Sequence, residues 1–191
     1  MNMQKYQKKR NFGSTPEPKG MKNPKNKYRN IFVIQKHESS HLHYDFRIDI
    51  DGVLVSWAVP KGLSTDPQKK HLAIHVEDHP LEYANFEGKI PEDQYGGGTV
   101  IIWDQGKYQN LREVKMSEAL EEGKIKIWLD GKKIQGGYNL VRMNKKKSKQ
   151  EEWLLIKADD EKADARRKPT SRENKSVKSN KTLDQIKQEY S

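Results

Sequence analysis

One stretch limits the fold more than any other: HLHYDFRIDI-DG-VLVSWAV, residues 41–59. Leu42, Tyr44, Phe46 and Ile48 alternate with His41, His43, Asp45, Arg47 and Asp49, and period-two alternation sends the two sets to opposite faces of a strand. Asp51-Gly52 is a favoured two-residue hairpin turn, and VLVSWAV returns antiparallel. The apolar set is an ordinary core face. The opposite face carries imidazole, carboxylate and guanidinium together, so it is either a solvated surface or a site.

The same pattern recurs along the chain. Strands are expected at 31–37, 41–50, 53–59, 71–77, 99–104, 124–130, 132–143 and 151–158, with one short helix at 117–123 and a second Asp-Gly turn at 130–131. Leu72, Ile74 and Val76 are expected on the inner face of their strand, with His75 and Glu77 turned out or toward a groove. Trp57, Trp103, Trp128 and Trp153 each fall in an apolar strand and read as core. Eight short strands and one helix in about 130 residues favour a mainly β, closed or nearly closed barrel, since closure removes exposed edges.

Charge divides the chain further. Of 37 Lys/Arg and 27 Asp/Glu, residues 1–30 hold nine basic residues and one acid, while residues 31–157 hold nineteen of each. Residues 1–29 therefore read as a flexible basic arm suited to a phosphate backbone, and residues 159–191 as a charged, disordered tail. There is no cysteine, which excludes disulfides and thiolate metal sites. No apolar run approaches the roughly 20 residues needed to span a membrane. A soluble cytoplasmic protein is expected.

The ionisable residues of interest lie between 35 and 83. Gln35 and His37 share a face of the first strand, and His43, Asp45 and Arg47 share a face of the second. If these strands pair, two imidazoles and a carboxylate form a mixed N/N/O set suited to Mn, Fe or Zn. Arg47, about 6.5 Å further along at strand rise, would hold an anion bound there. Lys61 reads as a phosphate cation or a plain turn lysine. His79, just before Pro80, suits a site at a barrel mouth. The Tyr95-Gly-Gly-Gly run reads as a tight bend before a strand, or as backbone N–H groups aimed at a phosphate.

Beyond these residue-by-residue readings, QKHESSHLHYDFRIDIDGVLVSWAVPKG, VEDHPLEYANFEGKIP and YGGGTVIIWDQG resemble the 3′-phosphoesterase module of bacterial ATP-dependent DNA ligase D, which also occurs free-standing in bacteria and archaea. The resemblance runs from about Lys9 to Ala158. It implies a small β-barrel phosphoesterase at residues 30–158 that is manganese-dependent, with Co²⁺ or Zn²⁺ fitting the same donors. It further implies removal of a 3′-terminal ribonucleoside and then of the remaining 3′-phosphate, leaving a 3′-hydroxyl for end joining. By motif, His37, His43 and Asp45 become metal ligands. Arg47 and His79 become phosphate-contacting and catalytic residues, surrounded by Tyr83, Gln35 and Lys61, with Arg10, Glu17 and His71 on the substrate side. Two positions depart from the family pattern. His71 stands where the family has an arginine, and Asn11 where it has an aspartate. The implied partners are DNA primer-template 3′ ends and separate ligase or polymerase proteins, and the implied location is the cytoplasm, on the nucleoid when bound to DNA.

Two other classes fit parts of the sequence. A non-haem iron oxygenase would use the same two histidines and aspartate. A non-catalytic nucleic-acid-binding barrel would use the arm for affinity.

Overall fold

The computed structural model describes residues 3–20, 30–144 and 150–190. In chain order the elements are α1 (Gln4–Lys8), β1 (Ile31–Glu38), β2 (Leu42–Ile50), β3 (Val53–Val59), β4 (Lys70–His75), a 3-10 turn (Leu81–Asn85), β5 (Gly88–Ile90), β6 (Gly98–Asn110), α2 (Met116–Glu122), β7 (Lys124–Gly131), β8 (Gln135–Arg142), β9 (Glu152–Lys157), α3 (Pro169–Arg172) and α4 (Leu183–Glu189). The sheet order is β1-β2-β3-β4-β9-β8-β7-β6-β5, and a further β1–β6 pairing closes eight strands into an antiparallel barrel with β5 as an extra strand. This is the expected mainly β barrel.

The β2–β3 hairpin forms where the alternation places it. Asp51 and Gly52 both have positive φ, 50° and 87°, as a twist-matched two-residue turn requires. Tyr44, Phe46, Ile48 and Ile50 join Phe32, Ile34, Val55, Trp57, Trp103 and Trp153 in the barrel core. The helix near 117 ends at Gly123, whose φ of 75° supplies the left-handed terminator.

Several details differ from the expectations. Asp130-Gly131 is not a two-residue turn: Asp130 pairs with Gln135, and the loop is shaped by the Asp104 carboxylate, which accepts the backbone N–H groups of Lys132, Lys133 and Ile134. Trp128 is only half-buried, because the core side of β7 is taken by Ile125, Ile127 and Leu129. β4 is turned over. Ala73 faces the core and Leu72 is exposed, while His75 packs 5.4 Å from the Trp57 ring and 6.4 Å from the Trp153 ring. Two indoles fill the interior there, leaving space for an alanine and an imidazole rather than three branched side chains.

The terminal segments are docked, against the expectation of disorder. In the arm, Tyr6 is fully buried and donates its hydroxyl to Pro18 O at 2.6 Å. Residues 1, 2 and 21–29 of the expected arm lie outside the described residues. Residues 159–190 of the expected tail run along the barrel. Tyr44 and Trp103 donate to the carbonyls of Thr170 and Glu173, and Leu183 and Ile186 pack on Ile101. Ser191 lies outside the described residues. Among the described residues no helix is long and apolar enough to cross a membrane.

Candidate metal and phosphate site

The polar face of β2 does not face solvent. A second, smaller core of Tyr6, Val33, Leu54, Leu81, Tyr83, Ala84 and Ile102 covers this side of the sheet. It is built from the arm, the 3-10 turn and the outward residues of β1, β3 and β6. Between it and the strands lies a cavity of about 320 Å³ lined by Arg10, Glu17, His37, Ser39, His43, Asp45, Arg47, Ala58, Val76, Glu77, His79, Tyr83, Ile90, Tyr95 and Gly96. The site is thus on the barrel's outer face rather than at its mouth, because the inward face of β2 is occupied by Tyr44, Phe46 and Ile48.

Register builds the ligand cluster. His37 lies opposite His43, and Gln35 opposite Asp45. Ligand atoms of His37, His43 and Asp45 all fall within 4.8 Å of one another, and the two imidazole rings are 4.7 Å apart. His43 Nδ1 lies 2.9 Å from His41 O. That bond fixes the tautomer and turns Nε2 toward Asp45, as a ligating histidine needs. His37 Nε2 is buried without a hydrogen-bond partner among the described residues. An orphaned buried nitrogen beside a second imidazole and a carboxylate fits a divalent ion. Burial alone would raise the Asp45 pKa, but Arg47 and the two histidines hold it well below the usual carboxylate range. Burial also opposes charge on His43, yet Asp45 lifts its pKa above the ordinary imidazole value. The carboxylate is ionised and ready to bind a cation.

Arg47 sits beside this cluster, held on two sides. Its Nε donates to Gln35 Oε1 at 2.7 Å and its Nη2 lies 3.1 Å from Asp45 Oδ2. Gln35 in turn donates to the carbonyls of Tyr83 and Phe86, clamping the 3-10 turn to β1. Gln35 does not line the cavity; it positions Arg47 and the turn. The guanidinium retains donors on both terminal nitrogens for an anion.

His79 is placed by its backbone. It forms an isolated antiparallel bridge with Leu54, its N–H and C=O both bonding Leu54 at 2.9 and 2.8 Å. Its Nδ1 is 2.9 Å from Glu77 O, and its Nε2 is 3.3 Å from Arg10 Nη2. The consistent neutral tautomer donates from Nδ1 to Glu77 O and accepts at Nε2 from Arg10, so the 3.1 Å approach of Arg47 Nη1 to Nδ1 is a contact without a shared proton. Burial, then the positive charges of Arg47 and Arg10, push the His79 pKa well below the imidazole range. The ring is neutral.

Arg10 and Glu17 bring the arm into the site. Arg10 Nε donates to Glu17 Oε1 at 2.8 Å, and its Nη1 lies 3.3 Å from Glu77 Oε1. Tyr83 donates its hydroxyl to the same Glu17 oxygen at 2.9 Å. Burial and the Glu17 charge keep Tyr83 protonated, its pKa well above that of free tyrosine.

Nine of the expected site residues therefore converge: His37, His43, Asp45, Arg47, His79, Tyr83, Arg10 and Glu17 line the cavity, and Gln35 braces it. Lys61 and His71 do not line it. Lys61 is exposed in its turn, and His71 Nδ1 lies 2.6 Å from Gly62 O, where it braces the turn. Asn11 is also outside the lining; its side chain accepts from Gly13 N. Sequence reasoning passed over Glu77 and Tyr95 as site residues. The usable signal for Glu77 was its position two residues before His79, on the same side of an extended segment. Tyr95 had none, because its placement depends on how the glycine run packs.

Known proteins resemble this chain over most of its length. The family model described as the DNA Ligase D 3′-phosphoesterase domain matches residues 35–142. The multifunctional non-homologous end joining protein LigD of Pseudomonas aeruginosa is 49% identical over 156 residues, which are 81% of this chain and 18% of that protein. The multifunctional non-homologous end joining DNA repair protein LigD of Mycobacterium tuberculosis is 49% identical over 140 residues, 73% of this chain and 18% of that protein. The LigD of Mycolicibacterium smegmatis is 40% identical over 162 residues, 82% of this chain and 20% of that protein. The chain spans about a fifth of the length of the curated relatives it matches.

Proposed function

Because the chain belongs to the DNA ligase D 3′-phosphoesterase domain family, we propose that it is a hydrolase that processes DNA 3′ ends for end joining. In this reading it removes a 3′-terminal ribonucleoside and then the 3′-phosphate left behind. The observation that carries the proposal is the His37/His43/Asp45 cluster, with its orphaned His37 Nε2, lying beside Arg47 in a cavity roofed by Arg10 and Glu17. His37, His43 and Asp45 would hold the ion, and manganese is the metal proposed. Bound there, it supplies Lewis-acid polarisation of a phosphoryl oxygen and a more acidic water.

The chain's own groups do the rest. Arg47, rigidly held by Gln35 and Asp45, offers its terminal N–H groups to the non-bridging oxygens as negative charge grows on them. Arg10 adds a second guanidinium from the arm, and Glu17 with Tyr83 fixes where it points. Neutral His79 accepts from Arg10 at Nε2 and packs against Arg47, and its one N–H is spent on Glu77 O. In the first step water bonds phosphorus as the bond to the terminal nucleoside's 5′-oxygen breaks, and a proton from that water ends on the departing oxygen. The nucleoside leaves as an alcohol, and the chain keeps a 3′-phosphate. In the second step water takes the place of the chain's 3′-oxygen on phosphorus, releasing inorganic phosphate and a 3′-hydroxyl. Two guanidiniums converging on one cavity favour an anionic substrate over the oxygenase reading of the same ligands.

The test is a DNA primer ending in one ribonucleotide, annealed to a longer template, with products resolved by length and by 3′-phosphate status. Turnover is expected with Mn²⁺ and not with a chelator, and His43→Ala or Asp45→Ala should lower it at least about 100-fold. Full metal-dependent activity in either variant would remove these residues from the site. Binding of the duplex without turnover under any divalent metal would leave a nucleic-acid-binding barrel instead.

A further inference from the structure

We infer that Tyr95 is a stacking platform for the terminal nucleobase of the substrate, and so a specificity residue; the inference rests on the reading of the cavity as a 3′-end site. Tyr95 lines the cavity, yet it is 48% exposed, whereas the other tyrosine in the lining, Tyr83, is 2% exposed. A half-open aromatic ring at the entrance to a polar, cation-lined cavity offers a π face to an incoming ligand.

The ring is held rather than loose. Lys9 Nζ donates to the Tyr95 hydroxyl at 2.9 Å, sits 4.1 Å from the ring centroid, and reaches Glu77 Oε2 at 3.1 Å. The Arg10 guanidinium carbon is 5.7 Å from the same centroid, so the ring stands between the cations of the arm and the solvent to which it is half open. The backbone behind it is also fixed. Gln94 N bonds Pro91 O and Gly97 N bonds Gln94 O, each at 3.0 Å. Gly98 has a φ of 143°, and a Cβ there would sit 2.1 Å from Glu38 O. The glycine run thus lies flush on the end of β1, which carries His37.

That packing sets the reach. A Cβ on Gly96 would be 3.9 Å from His37 Cε1, so the residue adjoining Tyr95 abuts the ligand cluster. Successive Cα atoms are about 3.8 Å apart. A phosphate held at the cluster therefore places its nucleoside within reach of the Tyr95 ring, and a cavity of about 320 Å³ is of small-ligand size rather than a bare phosphate's.

The test compares two primers annealed to the same template, one ending in a complete ribonucleotide and one ending in a ribose without a base. Wild-type protein is expected to show a KM lower by about 5- to 150-fold for the base-bearing end. Tyr95→Ala should collapse that ratio to near one, while Tyr95→Phe and Tyr95→Trp keep it. No preference in wild type, or a preference that survives Tyr95→Ala, overturns the inference. Collapse in Tyr95→Phe overturns it as well, since the hydroxyl latch to Lys9 would then be what matters.

A second measurement needs neither a variant nor turnover. With metal chelated, wild-type protein is titrated with a duplex ending in a 2-aminopurine ribonucleotide, and binding is followed separately by anisotropy. Quenching that tracks binding supports stacking, and binding without quenching refutes it. If wild type turns over no substrate, the proposed function fails, and the quenching result still decides the role of Tyr95.

Discussion

Two segments rich in lysine and low in apolar residues flank this barrel, and they dock by different physics. The arm, residues 3–20, is held where charges meet in a buried place. Arg10 and Glu17 pair with side chains only 4% and 0% exposed, and Arg10 and Lys9 both reach Glu77. The tail, residues 159–190, is held mostly through its own carbonyls. Tyr44, Trp103, Lys132 and Lys133 donate to Thr170, Glu173, Val177 and Lys175, and Leu183 and Ile186 supply the apolar anchor. The arm brings functional groups to the cavity. The tail contributes none to the cavity lining and covers apolar strand surface. Similar composition serves chemistry at one end and stability at the other.

Breaking the arm's central pair should give the largest effect. Arg10→Ala strands a buried Glu17 carboxylate beside Tyr83, a cost of about 3–5 kcal/mol when one partner of a buried pair is lost. The arm can escape that cost by undocking. Expected outcomes are a fall in kcat/KM of at least about 100-fold and rapid tryptic cleavage among Lys5, Lys8 and Lys9, with the barrel's urea midpoint little changed. A large loss of global stability instead would mean that the arm is part of the barrel's fold.

The tail variant should do the converse. Replacing both Leu183 and Ile186 by alanine removes two buried side chains, 8% and 4% exposed, at about 2 kcal/mol each. Urea denaturation should show the combined loss, while kcat/KM at low temperature stays within about twofold of wild type. A parallel loss of activity would erase the contrast between the two segments.

The smallest effect sharpens the tail's electrostatics. Lys133 Nζ donates to Lys175 O and lies 4.7 Å from the Trp103 ring centroid. Burial, partly offset by Asp104 and Glu173, lowers its pKa from 10.5 to about 8. Between those values the unfolded chain holds a proton that the folded chain lacks, so stability rises with pH across that window. Below it the full penalty of a charged, half-buried amine applies. Lys133→Met should flatten the difference between its own and the wild-type stability curves above pH 10.5 and gain at neutral pH. Solvent screening limits the change to under about 1 kcal/mol. An unchanged pH slope would show that the amine titrates freely despite its contacts.

Much of the site was legible because it is local. Alternation alone put His43, Asp45 and Arg47 on one face of β2, and a three-residue connection to β1 brought His37 opposite His43. Tyr83, Arg10 and Glu17 were reachable only through resemblance, since no periodicity links an arm to a 3-10 turn. Lys61 and His71 read as phosphate ligands, but His71 turned to the Gly62 carbonyl and neither entered the cavity.

By itself the sequence determined the hairpin, the strand count to within one, the antiparallel barrel class and which side chains share a strand face. Those follow from side-chain period and turn stereochemistry, which act over a few residues. The tertiary structure decided the rest. It placed the site on the outer face of the sheet, turned β4 over around two indoles, pinned His79 across β3, and laid both charged segments onto the barrel. Each of these depends on volume left by distant residues or on backbone groups that every residue possesses. Contacts made by carbonyls and by space carry no residue-type signature, so packing alone could settle them.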